Sequence, residues 1–235
     1  MNDMTNVRDF GVTESEQLVQ FYKKTYQTAG VCFVAWLGVL TLLFYSGAMV
    51  SIAGALLSVN WLIVLGIFFL ATWGANMLMA KGDGSSQMLG AGIYVVSYAI
   101  IFCPLLLLAA HVSGGMADAT DTIFLPALLV TGIIAFGLII AGQMIKSDMK
   151  VLQPIIAIGS IAALVAIIFA SLTSFTLGSW FVIGMVLLMC ISIFYQVSRF
   201  KYQYSTNQYF AAGVSLFASF VVLLWYVIQL FLSRR

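Results

Sequence analysis

The chain has 235 residues, of which 63% are hydrophobic and 8% charged, with a net charge of +2 and a mean hydropathy of +1.08. No water-soluble domain could bury that much apolar surface, so the composition places the chain among polytopic membrane proteins. The small positive balance carries no nucleic-acid signal, because the cations lie between apolar runs and form no patch or stripe.

Met1 to Lys24 is a polar tail of mixed charge. It contains Asp3, Asp9, Glu14 and Glu16 and no apolar core, so no cleavable secretory signal is expected. Thr13 and Glu16 have the spacing of a helix capping box ahead of Leu18, Val19, Phe21 and Tyr22. That amphipathic run is expected to lie along the membrane surface and to lead into the first span. The start of the tail reads equally as disordered, as chain termini commonly are.

Runs without Asp, Glu, Lys or Arg set the span count, each span needing about 20 apolar residues. Thr25 to Ala80 holds two spans, joined around Ser51 to Asn60. Gly84 to Ala117 is one, with polar, glycine-containing ends at Ser113-Gly114-Gly115. Thr122 to Ile145 is another, with Asp121 or Thr122 as its N-cap. Val151 to Ser198 must be two, broken at Ser171-Leu172-Thr173-Ser174 and Gly178, and Tyr202 to Ser233 is the last. The expected fold is therefore an all-α integral membrane protein: a tail at 1–24, then a seven-helix transmembrane domain at 25–235.

The cations orient the bundle. With a cytoplasmic N-terminus, Arg8, Lys23, Lys24, Lys81, Lys146, Lys150, Arg199 and Lys201 all fall inside, and the outer loops carry none. Arg234 and Arg235 form an exported tail unless the last helix stops short of crossing.

Read as a helix, Asn207 to Leu232 has one face of small or short residues, Ala211, Ser215, Ala218, Ser219 and Val222. The neighbouring face carries Phe210, Val214, Phe217, Val221, Leu224 and Ile228. In lipid, burial of apolar side chains contributes little to association. Helices instead meet at small residues and through hydrogen bonds from Ser or Gln. Two such faces suit a helix with neighbours on several sides; a peripheral helix with one contact face is the alternative, and the sequence leaves both open.

Asp, Glu, Lys and Arg are absent from every span interior. Proton relays, voltage sensors and transporters of charged substrates need ionisable groups there, so an active pump is disfavoured. No Ser-His-Asp set, His-Glu-x-x-His, phosphate-cradling loop or metal cluster is present, and no enzyme activity, cofactor or metal is expected. Cys32, Cys103 and Cys190, each inside an apolar run, read as packing residues. The single histidine, His111, reads as an interface residue near the outer end of the third span; a ligand or pH-sensing role is the lesser alternative. Asp118 and Asp121 form a small outer acidic loop, either a solvated cap or a cation-attracting mouth.

The polar residues within spans are Asn76, Ser97, Gln143, Ser160, Ser192, Gln196, Ser215, Ser219 and Gln229. Interhelical hydrogen bonding accounts for most of them; a functional role would need several to converge. Pro104 should kink the third span, while Pro126 and Pro154 lie in first turns, where proline is better tolerated.

Several stretches together resemble the Bax inhibitor (TMBIM-like) family, and within it the bacterial YccA-type members. Lys146-Ser147-Asp148-Met149-Lys150-Val151-Leu152 is similar to the family's basic-x-Asp-[Leu/Met]-x-x-Leu segment. Cys103-Pro104-Leu105-Leu106 resembles its proline-containing third helix, and Lys24-Thr25-Tyr26 the start of the first span. Thr206-Asn207 through Val214-Ser215-Leu216-Phe217-Ala218-Ser219 is similar to the start of the final helix. The resemblance implies seven helices with the last enclosed by the other six. It also implies two positions of a di-aspartyl pair in pH-dependent calcium-leaking members, here occupied by Gln196 and Ser219. Two carboxylates can share a proton and titrate together; a glutamine and a serine cannot. The resemblance thus carries over the fold but not the carboxylate gate. For YccA-type members it implies residence in the bacterial inner membrane and association with the membrane protease FtsH, as slow substrates that hold back degradation of others. A calcium leak is the alternative.

Overall fold

The computed structural model describes residues 14–145, 149–173, 177–203 and 208–233, and these are almost entirely helical. The helices are α1 (Glu14–Tyr45), α2 (Ala48–Ser58), α3 (Trp61–Ala80), α4 (Gly84–Ser113), α5 (Met116–Ala119), α6 (Leu125–Met144), α7 (Leu152–Leu172), α8 (Gly178–Gln203) and α9 (Tyr209–Leu232). A π turn at Thr120–Phe124 fuses α5 to α6. Seven helical stretches are long and apolar enough to cross a membrane: α1, α3, α4, the α5–α6 rod, α7, α8 and α9. Large apolar side chains on their outer faces, such as Ile133, Ile158 and Leu187, remain exposed to the surroundings. In water that would be a liability; for a bundle set in lipid it is the expected exterior.

The last helix is the most enclosed. About 61% of the apolar window of α9 is buried, against 44% or less in every other span. The helices α1, α3, α4, α6 and α8 close directly on it, while α7, the most exposed span, packs on α8 and α3. Small residues allow the closest approach. A Cβ added at Gly213 of α9 would stand 2.6 Å from the Thr25 carbonyl oxygen and 2.7 Å from Thr28 Cβ, so α1 lies against α9 backbone to backbone. Gly90 of α4 plays the same part against Ala75 and Met79 of α3, and Gly142 of α6 against Phe194 and Val197 of α8. Aromatic rings fill the space beyond. Trp36, Phe102 and Trp225 form one edge-to-face series linking α1, α4 and α9, and Phe68, Tyr98 and Phe217 form another through α3, α4 and α9.

Three features differ from the expectations. First, α1 begins at Glu14 and runs unbroken into the membrane, so the Leu18–Tyr22 run is the foot of the first span and not a separate surface helix. Phe21 is buried, edge-on to Phe200 of α8, because that apolar stripe continues the face that packs on the bundle. Thr13, half of the expected capping box, lies outside the described residues. Second, the link between the first two spans starts earlier than Ser51. Gly47, at φ +73°, ends α1 in the left-handed region, and the link then folds into α2, whose Met49 and Ala53 are buried against α4. Asn60 then caps α3 by accepting from the Leu62 N–H at 2.9 Å.

Third, the fourth span begins at Met116, so Asp121 and Thr122 lie inside a helix and cap nothing. Gly114, at φ +85°, stops α4, and the chain re-enters a helix within two residues. The Thr122 hydroxyl donates back to the Asp118 carbonyl at 2.5 Å instead of capping. The expected acidic loop is thus a helical turn, with Asp118 and Asp121 both exposed. Pro126 consequently sits well inside the rod, where its ring would press on the preceding turn. The π turn, in which the Leu125 N–H bonds the Thr120 carbonyl five residues back, widens the helix at that place.

Candidate functional site

All described cations, Lys23, Lys24, Lys81, Lys150, Arg199 and Lys201, fall at one end of the bundle, where α1, α4, α7 and α9 begin and α3, α6 and α8 finish. Lys24 lies over the Tyr209 ring and Arg199 over the Tyr195 ring, each 5.1 Å from the centroid. The Tyr195 hydroxyl donates to Gln153 Oε1 at 3.2 Å, tying α7 to α8 at this end. Asp118, Asp121 and His111 are exposed at the opposite end.

A polar knot joins α8 to α9. Gln196 Nε2 donates to Ser219 Oγ at 2.6 Å and to Ser192 Oγ at 3.3 Å, and Gln196 Oε1 accepts from Ser215 Oγ at 3.3 Å. Both amide hydrogens and the amide oxygen are therefore used. The spacing produces this arrangement: Ser192 lies one turn before Gln196 on α8, and Ser215 one turn before Ser219 on α9. Two short rows facing each other place one carboxamide among three hydroxyls. Ser192 and Ser215 do not stand out in the sequence as partners of the pair. The i,i+4 spacing was the available signal, and helix rotation was the missing fact.

The remaining span-interior polar residues stand apart. Gln143 of α6 donates to the Tyr26 hydroxyl of α1 at 2.7 Å. Asn76 and Ser160 are exposed, and Gln229 lies near the far end of α9. Pro104 lies within α4; just before it, the Cys103 thiol donates to the Ala99 carbonyl at 3.3 Å. Lys146 and Asp148 of the basic-x-Asp segment fall outside the described residues. Among the described residues, no group of three or more His, Cys, Asp or Glu is placed to hold a metal ion.

A large cavity lies elsewhere. A crevice of about 910 Å³ opens at the end opposite the cations, walled by the outer halves of α4 and α9 and the ends of α3, α7 and α8. Its walls are mainly aliphatic and aromatic, and none of Ser192, Gln196, Ser215 or Ser219 lines it.

Seven apolar spans, five of them closed directly on the last, with an uncharged hydrogen-bonded knot where the final two meet, define a multi-pass helical-bundle membrane protein. The chain belongs to the Bax inhibitor family: the family model described as Bax1-I, inhibitor of apoptosis-promoting Bax1, matches residues 18–235, nearly its whole length. No individual curated protein matches it.

Proposed function

We propose that this protein is a non-enzymatic, non-conducting member of the family that acts in membrane protein quality control, in the manner of YccA-type proteins. In this reading it sits in a bacterial inner membrane with its N-terminus in the cytoplasm and occupies the protease FtsH as a slowly extracted substrate. The observation that carries the non-conducting half is the Gln196 knot. At the place where the resemblance puts a titratable carboxylate pair, this chain has an amide and three hydroxyls that satisfy one another. Nothing there gains or loses a proton at ordinary pH, so the contact between α8 and α9 holds at any such pH. The protease half is supported by the resemblance and by the polar N-terminal tail, a grip for an enzyme that pulls from the cytoplasm. The enclosed α9 supports resistance to extraction, since it must leave five packed neighbours at once.

The test has two arms. Affinity capture of the full chain from membranes should retain FtsH, and deleting the protein should shorten the half-life of another FtsH substrate. No association and unchanged half-lives would end the protease reading. In proteoliposomes the protein should pass no calcium across a pH range; pH-gated calcium entry would overturn the non-conducting reading and favour a leak channel.

A further inference from the structure

The crevice at the acidic end has the dimensions of one membrane leaflet. Along α9 its wall runs from Ser233 down to Val222, eleven helical steps or about 16 Å, roughly half of a hydrocarbon core. Along α4 it runs from Leu108 down to Tyr98, a similar depth. Polar groups gather toward the mouth, at Ser171, Ser179, Gln229 and Ser233, and the deeper wall is made by residues such as Phe68, Phe102 and Val222. Trp61 at the rim and the exposed Trp180, between the lining residues Ser179 and Phe181, mark the level of the membrane interface.

We propose that this crevice binds a single phospholipid from that leaflet, with one acyl chain seated between α4, α8 and α9 and the headgroup region held at the mouth. Two observations fit a lipid in preference to water, and a third shows what would hold its headgroup. The wall is largely apolar, and apolar space does not hold ordered water. The depth matches an acyl chain in its own leaflet. Among the described residues, the Gln229 carboxamide and the Tyr226 hydroxyl have no hydrogen-bond partner, although both line the crevice, so donors stand ready for ester or phosphate oxygens. Among the described residues no Asp, Glu, Lys or Arg lines the crevice, and the side chains that face the headgroup there are hydrogen-bonding ones.

The experiment uses the full chain in vesicles of phosphatidylcholine whose acyl chains carry bromine at mid-chain, with and without added brominated phosphatidylglycerol. Trp225 lines the crevice. Its emission, taken as the difference between the protein and the Trp225→Phe variant, should be lost to the brominated chains. Ala170→Trp, which fills the crevice, should restore it, and Gln229→Leu should weaken the loss while leaving unfolding temperature unchanged. Native mass spectrometry from mild detergent should show one retained phospholipid per chain. Unquenched Trp225 with no retained lipid overturns the proposal. So does quenching of Trp225 by aqueous iodide, which would mean a water-filled vestibule. Equal quenching in a folded Ala170→Trp protein overturns it as well. The outcome is independent of FtsH association.

Discussion

The carboxamide of Gln196 on α8 and the hydroxyl of Ser219 on α9 meet at 2.6 Å, the shortest of the bonds in a knot of four uncharged side chains. In lipid, where apolar contact alone distinguishes helix from solvent poorly, such a bond contributes specificity to which helix faces which.

Gln196→Leu should lower stability by about 1–2 kcal/mol, because it strands Ser215 and Ser219 without their shared partner. Ser219→Ala should cost less, about 0.6–1 kcal/mol, since the amide keeps Ser192. In a double-mutant cycle read by denaturant unfolding in detergent, the two changes should couple. Strict additivity would mean that the bond contributes nothing to holding α8 on α9.

Gln196→Asp combined with Ser219→Asp should introduce a pH dependence that the natural pair lacks. Two carboxyl groups at this separation hold together while they share a proton and repel once both ionise. The doubly substituted protein should therefore be most stable at low pH and lose stability as pH rises, since the unfolded chain gives up its protons more readily than the folded one. The natural protein should show no such slope from this site. Thermal unfolding and calcium entry into proteoliposomes, followed over the same pH series, check the prediction; an unchanged response would show that these two positions do not control the contact.

Gly213→Ala should cost about 1–3 kcal/mol. The added carbon meets the Thr25 carbonyl and Thr28 Cβ, neither of which can yield without moving α1 off α9. Gly66→Ala in α3 is the control. Nothing lies within 4 Å of a Cβ there, so the change should be neutral or stabilising by up to about 1 kcal/mol through helix propensity. Comparing the two unfolding midpoints separates close packing from backbone preference.

Asp83 caps α4 by accepting from the Ser86 N–H at 2.9 Å. That backbone bond, then the Ser86 hydroxyl and to a lesser extent Lys81, hold its carboxyl below the usual carboxylate value. A lowered folded-state value means that the cap's contribution is present above the unfolded value, about 3.9, and is lost as pH falls through the folded one. Asp83→Asn should keep the cap and flatten the acid limb of the stability curve, whereas Asp83→Ala should lose the cap at neutral pH. Thermal unfolding of the three proteins at neutral and acid pH reads both effects.

Much of the architecture was legible from local pattern. Long charge-free runs marked seven spans, and a small stripe beside a bulky one on the last helix pointed to a segment with several neighbours. The end of α4 at Gly114 was marked by the polar Ser113-Gly114-Gly115, but the break at Gly47 was harder to place, because it lies in a stretch whose composition continues unchanged on either side. In an apolar run hydropathy does not distinguish a crossing helix from the short α2 folded against α4, or a loop from the turn that fuses α5 to α6. The foot of α1 was misjudged for a related reason: an amphipathic run looks the same whether its apolar face meets lipid or, as with Phe21, another helix.

Span number and the clustering of the described cations at one end follow from each segment taken singly: a run is long and oily, or it carries a lysine, whatever its neighbours do. Those the residues dictate directly. Which polar side chains meet is a property of pairs of helices, set by how each is rotated about its axis, and Ser192, Gln196, Ser215 and Ser219 converge only because α8 and α9 turn these rows toward each other. The crevice belongs to that second kind as well, since it is bounded by parts of five helices, and no single stretch of the chain encodes a space that exists only between them.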